Sequence, residues 1–524
     1  MVIAAHQHGS GPGDGDGHPK EACGVVAVHA PGQSAAHLTY LALFALQHRG
    51  QEAAGMAVSD GELLTVVKDQ GLVASVFDDR TLAGLHGHLA IGHCRYSTTG
   101  SSTWRNAQPA YRSVGERMFA LGHNGNLVNT EQLAKEAGML DGTVTSDSDL
   151  VAELVAAELA APDATAAHPH EGGPDHAGGE GATTPGGDGR LAAAVAAVVP
   201  RLEGAFSLVL MDEAHTVAVR DPNGFRPLCL GRLGTGWVVA SETPALDIVG
   251  ADLVRELDPG EMVVIDQAGV RSSRPFDPAT VDPRLCLFEL VYFARPDSRL
   301  VGQSVHQARI RMGEQLAEQA PVDADMVMGV PESGVPAAEG FARRSGTPFG
   351  QGLVKNRYIG RSFIAPDQQA RARAVRMKLN PLRENVEGKR LVVVDDSIVR
   401  GTTQRQLVRM LREAGAREVH LRITSPPVVW PCFYGIDTGD RTELIAPDLD
   451  VEGVRAYLGA DSLAHLALDR LVAATGAPHA GFCDACFTGR YPVEVPLTLR
   501  KHRLEDVGAT PERVVQPALD GTAG

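Results

Sequence analysis

The stretch LVVVDDSIVRGTTQRQLV places two adjacent carboxylates and several hydroxyls directly after a short apolar run. The run, Leu391–Val394, is typical of a buried strand in a parallel sheet. Asp395 and Asp396 follow it, at the end of the strand where open α/β sheets place their ligands. Residues 397–403 then turn into a predicted helix and offer N–H groups, hydroxyls and a helix N-terminus to a phosphate. Adjacent carboxylates can also hold sugar hydroxyls or Mg²⁺, and the non-functional alternative is an Asp-Asp turn with a capping hydroxyl.

A second chemical signal is a cysteine that opens a strand. Residues 1–22 are rich in Gly, His and Asp, and at Cys23 the sequence changes to the small apolar run Gly24–Val28. Cys23 is either a buried core thiol or a nucleophile that becomes the mature N-terminus once the leader 1–22 is removed. In the second interpretation its own α-amine, with a pKa of about 7.7–8.0, is the nearby base.

Four later stretches carry polar residues that such a nucleophile would need. Taken singly, each has a structural interpretation: an ion pair for Arg95, a tight turn for Asn124 and Gly125, and a helix cap for Asp147. In chain order the stretches are QHRGQEAAG (47–55), IGHCRYST (91–98), GHNGNL (122–127) and TSDSD (145–149). The third predicts a turn, and the fourth opens a predicted helix that runs to Leu159.

In this order the five motifs resemble those of the class II glutamine amidotransferases, which are N-terminal-nucleophile hydrolases. The resemblance implies that Cys23 attacks the side-chain amide of glutamine. It implies that Arg95 holds the α-carboxylate of glutamine and Asp147 its α-amino group. Asn124 and Gly125 would form the oxyanion hole.

The stretch around Asp395 resembles the phosphoribosyl-diphosphate (PRPP) motif of the type I phosphoribosyltransferases. The sequence PESGVP at 331–336 resembles their pyrophosphate loop and follows the predicted strand 325–330. The resemblance implies one Mg²⁺ per subunit, held near Ser333, Asp395 and Asp396. The residues implied at PRPP are Asp395, Asp396, Ser397, Arg400, Gly401, Thr402 and Thr403.

Seven Lys and Arg residues lie between positions 355 and 378 of an otherwise acidic chain, with little apolar periodicity. Such a segment is either a solvated surface or a lid that closes over a polyanionic substrate and excludes water. We predict a lid, with Lys355, Arg357 and Arg361 as its PRPP contacts.

The seven cysteines, an odd number in a long chain, favour chemistry over structural disulfides. The CDAC motif at 483–486 is by itself ambiguous between redox, zinc and iron–sulfur chemistry. Cys286 and Cys432 resemble the remaining ligands in an iron–sulfur branch of the two-domain amidotransferases. The resemblance implies one [4Fe–4S] cluster per subunit, with structural zinc as the alternative. Its ligands would be Cys286, Cys432, Cys483 and Cys486. For Cys94 and Cys229 we predict core packing.

The composition of the chain argues against nucleic-acid and membrane partners. The chain has 524 residues, enough for two or more domains, and 48 basic against 64 acidic residues give a net charge of −16. That charge argues against nucleic acid as a partner. No apolar run reaches the roughly 18 residues of a membrane span, and the N-terminus lacks the apolar core of a signal peptide. We therefore expect a cytoplasmic protein without a membrane partner.

The predicted fold class is an α+β N-terminal-nucleophile (Ntn) hydrolase sandwich followed by an α/β type I phosphoribosyltransferase domain. The leader is 1–22, the amidotransferase domain 23–270, and the phosphoribosyltransferase domain 284–470. Residues 471–524 form a C-terminal segment with the CxxC motif and a disordered tail. A low-complexity insertion at 160–190 contains His168, His170 and His176, which we expect in a solvated loop.

Together the two halves imply transfer of the amide nitrogen of glutamine to PRPP, at the start of purine biosynthesis, with ammonia passing between two sites. The resemblance further implies feedback inhibition by purine nucleotides and a homotetramer. A class II enzyme that makes glucosamine 6-phosphate would need a sugar-isomerase half, which the stretch 393–403 opposes. A PRPP-sensing regulator would need a basic nucleic-acid module, which the net charge and Cys23 with its partners oppose.

Overall fold

The computed structural model describes residues 23–96, 103–140, 142–161, 189–356, 378–436, 441–477 and 479–496. The leader, residues 162–188 of the insertion, the lid beyond position 356 and the tail after position 496 lie outside these ranges, so the predictions made for them remain predictions. Among the described residues, no helix is both long enough and apolar enough to cross a membrane.

The amidotransferase half consists of two antiparallel sheets that face each other. In spatial order, the seven-stranded sheet contains Asp252–Glu256, Cys229–Leu233, Gly236–Ala240, Gly24–His29, Leu89–Arg95, Ala53–Ser59 and Leu64–Gln70. The six-stranded sheet contains Gly269–Ser273, Met262–Asp266, Thr216–Arg220, Gly204–Met211, Arg117–Leu127 and Ala110–Val114. An apolar core that includes Val25, Ile91 and Val209 fills the space between them.

Helices cover the outer faces of both sheets, so this half is an α+β sandwich, as predicted for an Ntn hydrolase. Ala35–Ala45 and Thr243–Val249 contribute to the core outside the seven-stranded sheet. Asp147–Ala160 and Arg190–Val198 do the same outside the six-stranded sheet. The shorter helical segments are Gln47–Arg49, Val73–Val76, Asp79–Ala83, Trp104–Asn106, Thr130–Glu136, Val199–Arg201 and Pro278–Thr280.

The second half is built on a parallel sheet. Its strands, in spatial order, are Met326–Gly329, Arg390–Asp395, Glu418–Ile423 and Ser462–His465. Leu391–Val394 are buried, as the apolar run predicts. Apolar cores lie on both faces of the sheet. The helical segments of this half are Glu289–Phe293 (a π-helix), Val305–Gln319, Val335–Ser345, Arg383–Val386, Thr402–Glu413, Arg441–Glu443, Val451–Leu458, Leu468–Ala474 and Ala485–Thr488.

Three two-stranded pairs complete the second half. Leu285–Cys286 pairs in parallel with Phe482–Cys483, which joins the start of this half to its C-terminal segment. The other pairs are Arg299–Leu300 with Gln303–Ser304, and Leu353–Lys355 with Leu379–Pro381.

A buried ion network connects the two halves. Arg49 donates to Glu242 Oε1 at 2.6 Å and to Glu289 Oε1 at 2.7 Å. Arg226 donates to the same Glu289 oxygen at 3.1 Å and to the carbonyl oxygen of Tyr434 at 2.8 Å. The four charged side chains are almost inaccessible to water. Because each charge has a partner, burial is tolerated, and the network fixes one half against the other.

Candidate active sites

Strand register places Cys23 beside Arg95. Gly24 pairs with Cys94 on the neighbouring strand, so Cys23 and Arg95 are the next pair along and lie on the same face of the seven-stranded sheet. Arg49 donates from Nε to the carbonyl oxygen of Cys23 at 3.0 Å, which fixes the backbone of the cysteine.

A small cavity opens beside the Cys23 thiol. Three other residues predicted for the glutamine site, Arg95, Gly125 and Asp147, also line it. The sequence motifs thus meet in one place, although they are spread over about 125 positions of the chain. The complete lining is Cys23, Arg95, Tyr96, Gln108, His123, Gly125, Ser146, Asp147 and Ser148.

The Cys23 thiol is protonated at neutral pH in this form of the chain. Burial raises its pKa to about 11, and the backbone of Tyr96 and the charge of Arg95 act in the opposite direction. The sulfur exchanges two hydrogen bonds with the backbone of Tyr96: the thiol donates to the carbonyl oxygen at 3.2 Å, and the backbone N–H donates back at 3.4 Å. Since the thiolate is the nucleophile, an adjacent base is required.

The prediction of a turn at Gly122–Leu127 is wrong. These residues are the end of the strand Arg117–Leu127, and Asn124 and Gly125 pair with Ser207 and Phe206 of the next strand. His-Asn-Gly-Asn is typical of a turn, but the backbone groups are buried and are satisfied by pairing within the sheet instead.

The predicted oxyanion residues nevertheless have features suited to that role. Gly125 has a φ of +154°, and a Cβ there would lie 2.0 Å from the carbonyl oxygen of Ala205, so no larger residue fits. Asn124 is fully buried; its amide nitrogen lies 3.4 Å from Ser241 Oγ, and its side-chain oxygen has no partner among the described residues. Ser241 also accepts from the N–H of Val25 at 2.9 Å and so orients Asn124 relative to the Cys23 strand.

Asp147 begins the helix Asp147–Ala160, as the TSDSD motif predicts, with Ser146 as the N-cap. Its carboxylate accepts from the N–H of Ser148 at 2.8 Å and from that of Leu127 at 3.3 Å. Burial opposes ionisation, but His123, 3.5 Å away, and these N–H groups hold the pKa of Asp147 below its ordinary value. The side chain is therefore an anion that can receive an ammonium group.

Sequence reasoning missed four residues of this site: Gln108, His123, Ser148 and Ser241. Gln108 accepts from the N–H of His123 at 2.7 Å and donates to Ser148 Oγ at 2.9 Å. His123 and Ser148 lie next to predicted residues, so proximity in the motifs was the available signal. Gln108 and Ser241 come from separate segments, and only the folded chain brings them here.

In the second half, the predicted PRPP loop lies at the carboxyl end of the parallel sheet. Asp395 is the last residue of its strand, and the helix Thr402–Glu413 begins after Gly401, whose φ is +72°. Thr402 and Thr403 are the first residues of that helix, where free N–H groups favour anions. The local structure predicted for this stretch is thus confirmed.

The two aspartates and Ser333 come together. Ser333 Oγ donates to Asp396 Oδ2 at 2.5 Å, and Ser397 Oγ donates to Asp396 Oδ1 at 2.7 Å. Burial and the neighbouring Asp396 charge raise the pKa of Asp395 well above its ordinary value. Gln404, which sequence reasoning missed, donates to Asp395 Oδ2 at 3.1 Å.

Other predicted PRPP contacts lie at the rim. Arg400 forms an ion pair with Glu443. Lys355 ends the strand Leu353–Lys355, and its ammonium lies 3.8 Å from Glu332 in the 331–336 loop. The other two lid residues, Arg357 and Arg361, fall in the part of the chain that the structure does not describe.

The four cysteines predicted as cluster ligands line one small cavity. Cys286 and Cys483 are cross-strand partners in the parallel pair, and Cys486 follows on the short helix Ala485–Thr488. The remaining walls are mostly aromatic and apolar, with Arg226 from the other half. Among the described residues, no three His, Cys, Asp or Glu side chains are grouped as the ligands of a single metal ion. Cys94 and Cys229 are buried in the amidotransferase core, as expected.

The fold and the two sites define a class II glutamine amidotransferase joined to a phosphoribosyltransferase. Family profiles agree: "Glutamine amidotransferases class-II" matches residues 49–166, "Glutamine amidotransferase domain" matches 189–248, and "Phosphoribosyl transferase domain" matches 302–424. The amidophosphoribosyltransferase of Mycobacterium tuberculosis is 52% identical, over 94% of this chain and 91% of its own. That of Bacillus subtilis is 44% identical, over 91% and 95%. The chain belongs to the amidophosphoribosyltransferase family.

A solved structure agrees with this assignment. Glutamine PRPP amidotransferase from B. subtilis, complexed with ADP and GMP, aligns with a TM-score of 0.80 at 42% identity, over 92% of this chain and 100% of its own. The chain is therefore an enzyme that converts glutamine, PRPP and water to 5-phosphoribosylamine, glutamate and diphosphate, the first step of de novo purine biosynthesis. The glucosamine-forming and regulatory alternatives do not apply.

Proposed function

We propose that the cavity beside Cys23 is the glutamine site and that the residues around it have the roles expected from the sequence. Arg95 pairs with the α-carboxylate of glutamine, and Asp147 with its α-amino group. The Cys23 thiolate attacks the side-chain carbonyl carbon, and Asn124 and Gly125 donate to the oxyanion. Ammonia leaves, and water hydrolyses the thioester to glutamate. The observation that supports this proposal is that Cys23, Arg95, Gly125 and Asp147 meet in one cavity.

The mature enzyme is expected to begin at Cys23. The buried thiol, with its pKa raised to about 11, needs a base. The α-amine of Cys23 can accept the proton only when residues 1–22 have been removed. N-terminal sequencing of active enzyme should therefore give Cys-Gly-Val-Val. Active protein that still begins at Met1 or Val2 would refute leader removal.

At the second site, Asp395 and Asp396 hold the ribose or a magnesium ion, and the loop from Ser397 to Thr403 cradles the 5-phosphate. The donor set fits Mg²⁺, because it consists of carboxylate and hydroxyl oxygens with Ser333 beside Asp396. A divalent cation there would favour the ionised form of Asp395, whose pKa is raised. When bound, it would neutralise charge on the diphosphate leaving group. Lys355, Arg357 and Arg361 close over the substrate.

The domain boundaries given above, a homotetramer and inhibition by purine nucleotides are part of this proposal. The B. subtilis relative was solved with ADP and GMP, which supports nucleotide regulation. All seven cysteines are free thiols, which suits a reducing compartment, and we place the enzyme in the cytoplasm.

The four-cysteine cavity is proposed to hold a [4Fe–4S] cluster. Burial raises the pKa of all four thiols, while backbone N–H groups act in the opposite direction at each of them and Arg226 does so at Cys286 and Cys432. A cationic metal centre would complete the neutralisation of the thiolates. Four thiols around one cavity suit a cluster held by cysteines, and the resemblance to the iron–sulfur branch favours it over zinc. The cluster would be structural, since the reaction needs no redox step.

Cys483→Ser is expected to give insoluble protein or protein that keeps its leader, because metal binding to the native state stabilises the fold. Anaerobically purified wild-type protein should contain about four irons and four sulfides per chain, and oxygen should inactivate it. Cys229→Ser, in the core of the first half, is the matched control and should retain its iron. One zinc per chain without iron would identify the bound metal as structural zinc instead of a cluster. A fully active metal-free enzyme would contradict the proposal.

A further inference from the structure

Lys68 is a buried cation that has no carboxylate partner in the part of the chain that the structure describes. It lies on the strand Leu64–Gln70, and 6% of its surface is exposed. Its ammonium donates to the carbonyl oxygen of Ala107 at 2.5 Å. Among the described residues no carboxylate oxygen lies within 4.0 Å of it; the nearby Asp149 is paired with Arg112. A buried charge is costly, so its place beside one carbonyl group calls for a functional explanation.

Two aromatic rings replace the missing carboxylate. The Lys68 ammonium lies 5.3 Å from the centre of the Trp104 ring and 5.6 Å from that of Tyr111, within the range of cation–π attraction. Trp104 Nε1 in turn donates to the carbonyl oxygen of Lys68 at 3.0 Å. The side chain and the backbone of Lys68 therefore both hold the segment 103–108.

Register places Lys68 on the face of the seven-stranded sheet that carries the glutamine cavity, beside the residues that line it. Gly55 pairs with Lys68 on one neighbouring strand and with His93 on the other. His93 lies two positions before Arg95 on its strand, so Lys68, Gly55, His93 and Arg95 share one face of the sheet. Lys68 thus lies on the same face as Arg95 and Cys23. A Cβ at Gly55 would come within 2.2 Å of the carbonyl oxygen of Gln108 and 2.6 Å of Lys68 Cβ, so the absent side chain lets the two approach.

The residue after Ala107, Gln108, belongs to the lining of the proposed glutamine site. Gln108 lines the cavity and binds both the N–H of His123 and the hydroxyl of Ser148, which flank Asp147. Burial lowers the pKa of Lys68 to about 8, and the charge of Asp149 acts in the opposite direction. At neutral pH, Lys68 is therefore protonated in most molecules.

We propose that Lys68 is a positioning residue for glutamine: its ammonium anchors the segment 103–108 and thereby sets the position of Gln108 and of the Asp147 pocket. This inference rests on the proposed glutamine cavity. Lys68 would thus contribute to the binding of glutamine. It would take no part in formation or hydrolysis of the thioester, or in the reaction at the PRPP site.

Lys68→Met keeps the length of the stem and removes the charge and the donor. We expect the KM for glutamine to rise about 10- to 100-fold, since a charged hydrogen bond is worth about 1.5–3 kcal/mol. The kcat with saturating glutamine, and synthesis from free ammonia, should stay within about threefold of wild type. An unchanged KM, or an equal loss of glutamine- and ammonia-dependent activity, would overturn the inference.

Lys135→Met, on an exposed face of the helix Thr130–Glu136, is the matched control and should change neither activity. If Lys68→Met does not fold, Trp104→Phe decides: it removes the indole donor and reduces the ring that faces the Lys68 ammonium, and an unchanged KM there would overturn the anchor. Asp147→Asn distinguishes failure of the proposed glutamine site from failure of the role proposed for Lys68. If Asp147→Asn leaves the KM unchanged, the proposed glutamine site fails; if it raises the KM and Lys68→Met does not, only the role of Lys68 fails.

Discussion

Cys23→Ala is expected to abolish product formation from glutamine and to leave synthesis from free ammonia. The thiol is the nucleophile proposed for the cavity that also contains Arg95 and Asp147. Loss of such a nucleophile typically costs more than about 10⁴-fold in rate. The PRPP site is built from a different sheet and contains none of these residues, so ammonia added at high concentration should still reach it.

Steady-state assays with glutamine and with ammonium chloride, on the same preparation, measure this separation. Cys94→Ser is the matched control: Cys94 is equally buried on the adjacent strand, but its thiol donates to the carbonyl oxygen of Leu46 on the other side of the sheet. Glutamine turnover by Cys23→Ala would remove Cys23 from catalysis. Loss of both activities in a folded variant would contradict two separable sites.

The double substitution Asp395→Asn/Asp396→Asn is expected to eliminate PRPP turnover with either nitrogen source. Losing a charge-assisted contact costs about 1.5–3 kcal/mol, so losing two should slow the reaction at least about a hundredfold. Glutamine hydrolysis should persist, since the two aspartates lie outside the cavity beside Cys23.

Although this double variant should lose activity, its thermal stability should be equal to or greater than that of wild type. The pKa of Asp395 is raised in the folded state by burial and by Asp396, so the fold binds this proton more tightly than the unfolded chain does. The carboxylate therefore costs stability as pH rises above the ordinary Asp pKa. In the absence of magnesium, the double variant should have a Tm at pH 7 at or above that of wild type, by differential scanning fluorimetry. Asp469→Asn, on the exposed surface of the second half, is the control. Near-normal ammonia-dependent activity in the double variant would exclude both residues from the site.

Short motifs at the ends of regular elements were the part of the site that sequence could predict. Asp395 and Asp396 follow a run of four apolar residues, and Asp147 follows a capping serine, so each local pattern fixes its own geometry. Cys23 at the start of a strand was similarly accessible. In these places local propensity and tertiary structure agree, which is why the predictions hold.

Strand register and contacts between distant segments could not be predicted from local patterns. Asn124 and Gly125 have turn-forming residue types, yet pairing with the strand Gly204–Met211 keeps them extended. Gln108 lines the glutamine cavity, Ser241 contacts Asn124, and Lys68 donates to Ala107. These residues come from three separate segments, and none has a distinctive neighbour in sequence. Tertiary context overrides the local preference for a turn in this way because backbone pairing and side-chain burial decide the outcome.

Two halves expressed as separate chains would not rebuild this enzyme by simple mixing. Arg49, Glu242 and Arg226 belong to one half and Glu289 to the other, and all four are buried at the joint. On separate chains these groups would be hydrated, and each encounter would have to remove that water at a cost of several kcal/mol per ion. The covalent connection offsets this cost through a high effective concentration. A split enzyme would therefore need a tether, whereas a circular permutant that keeps the halves linked would not.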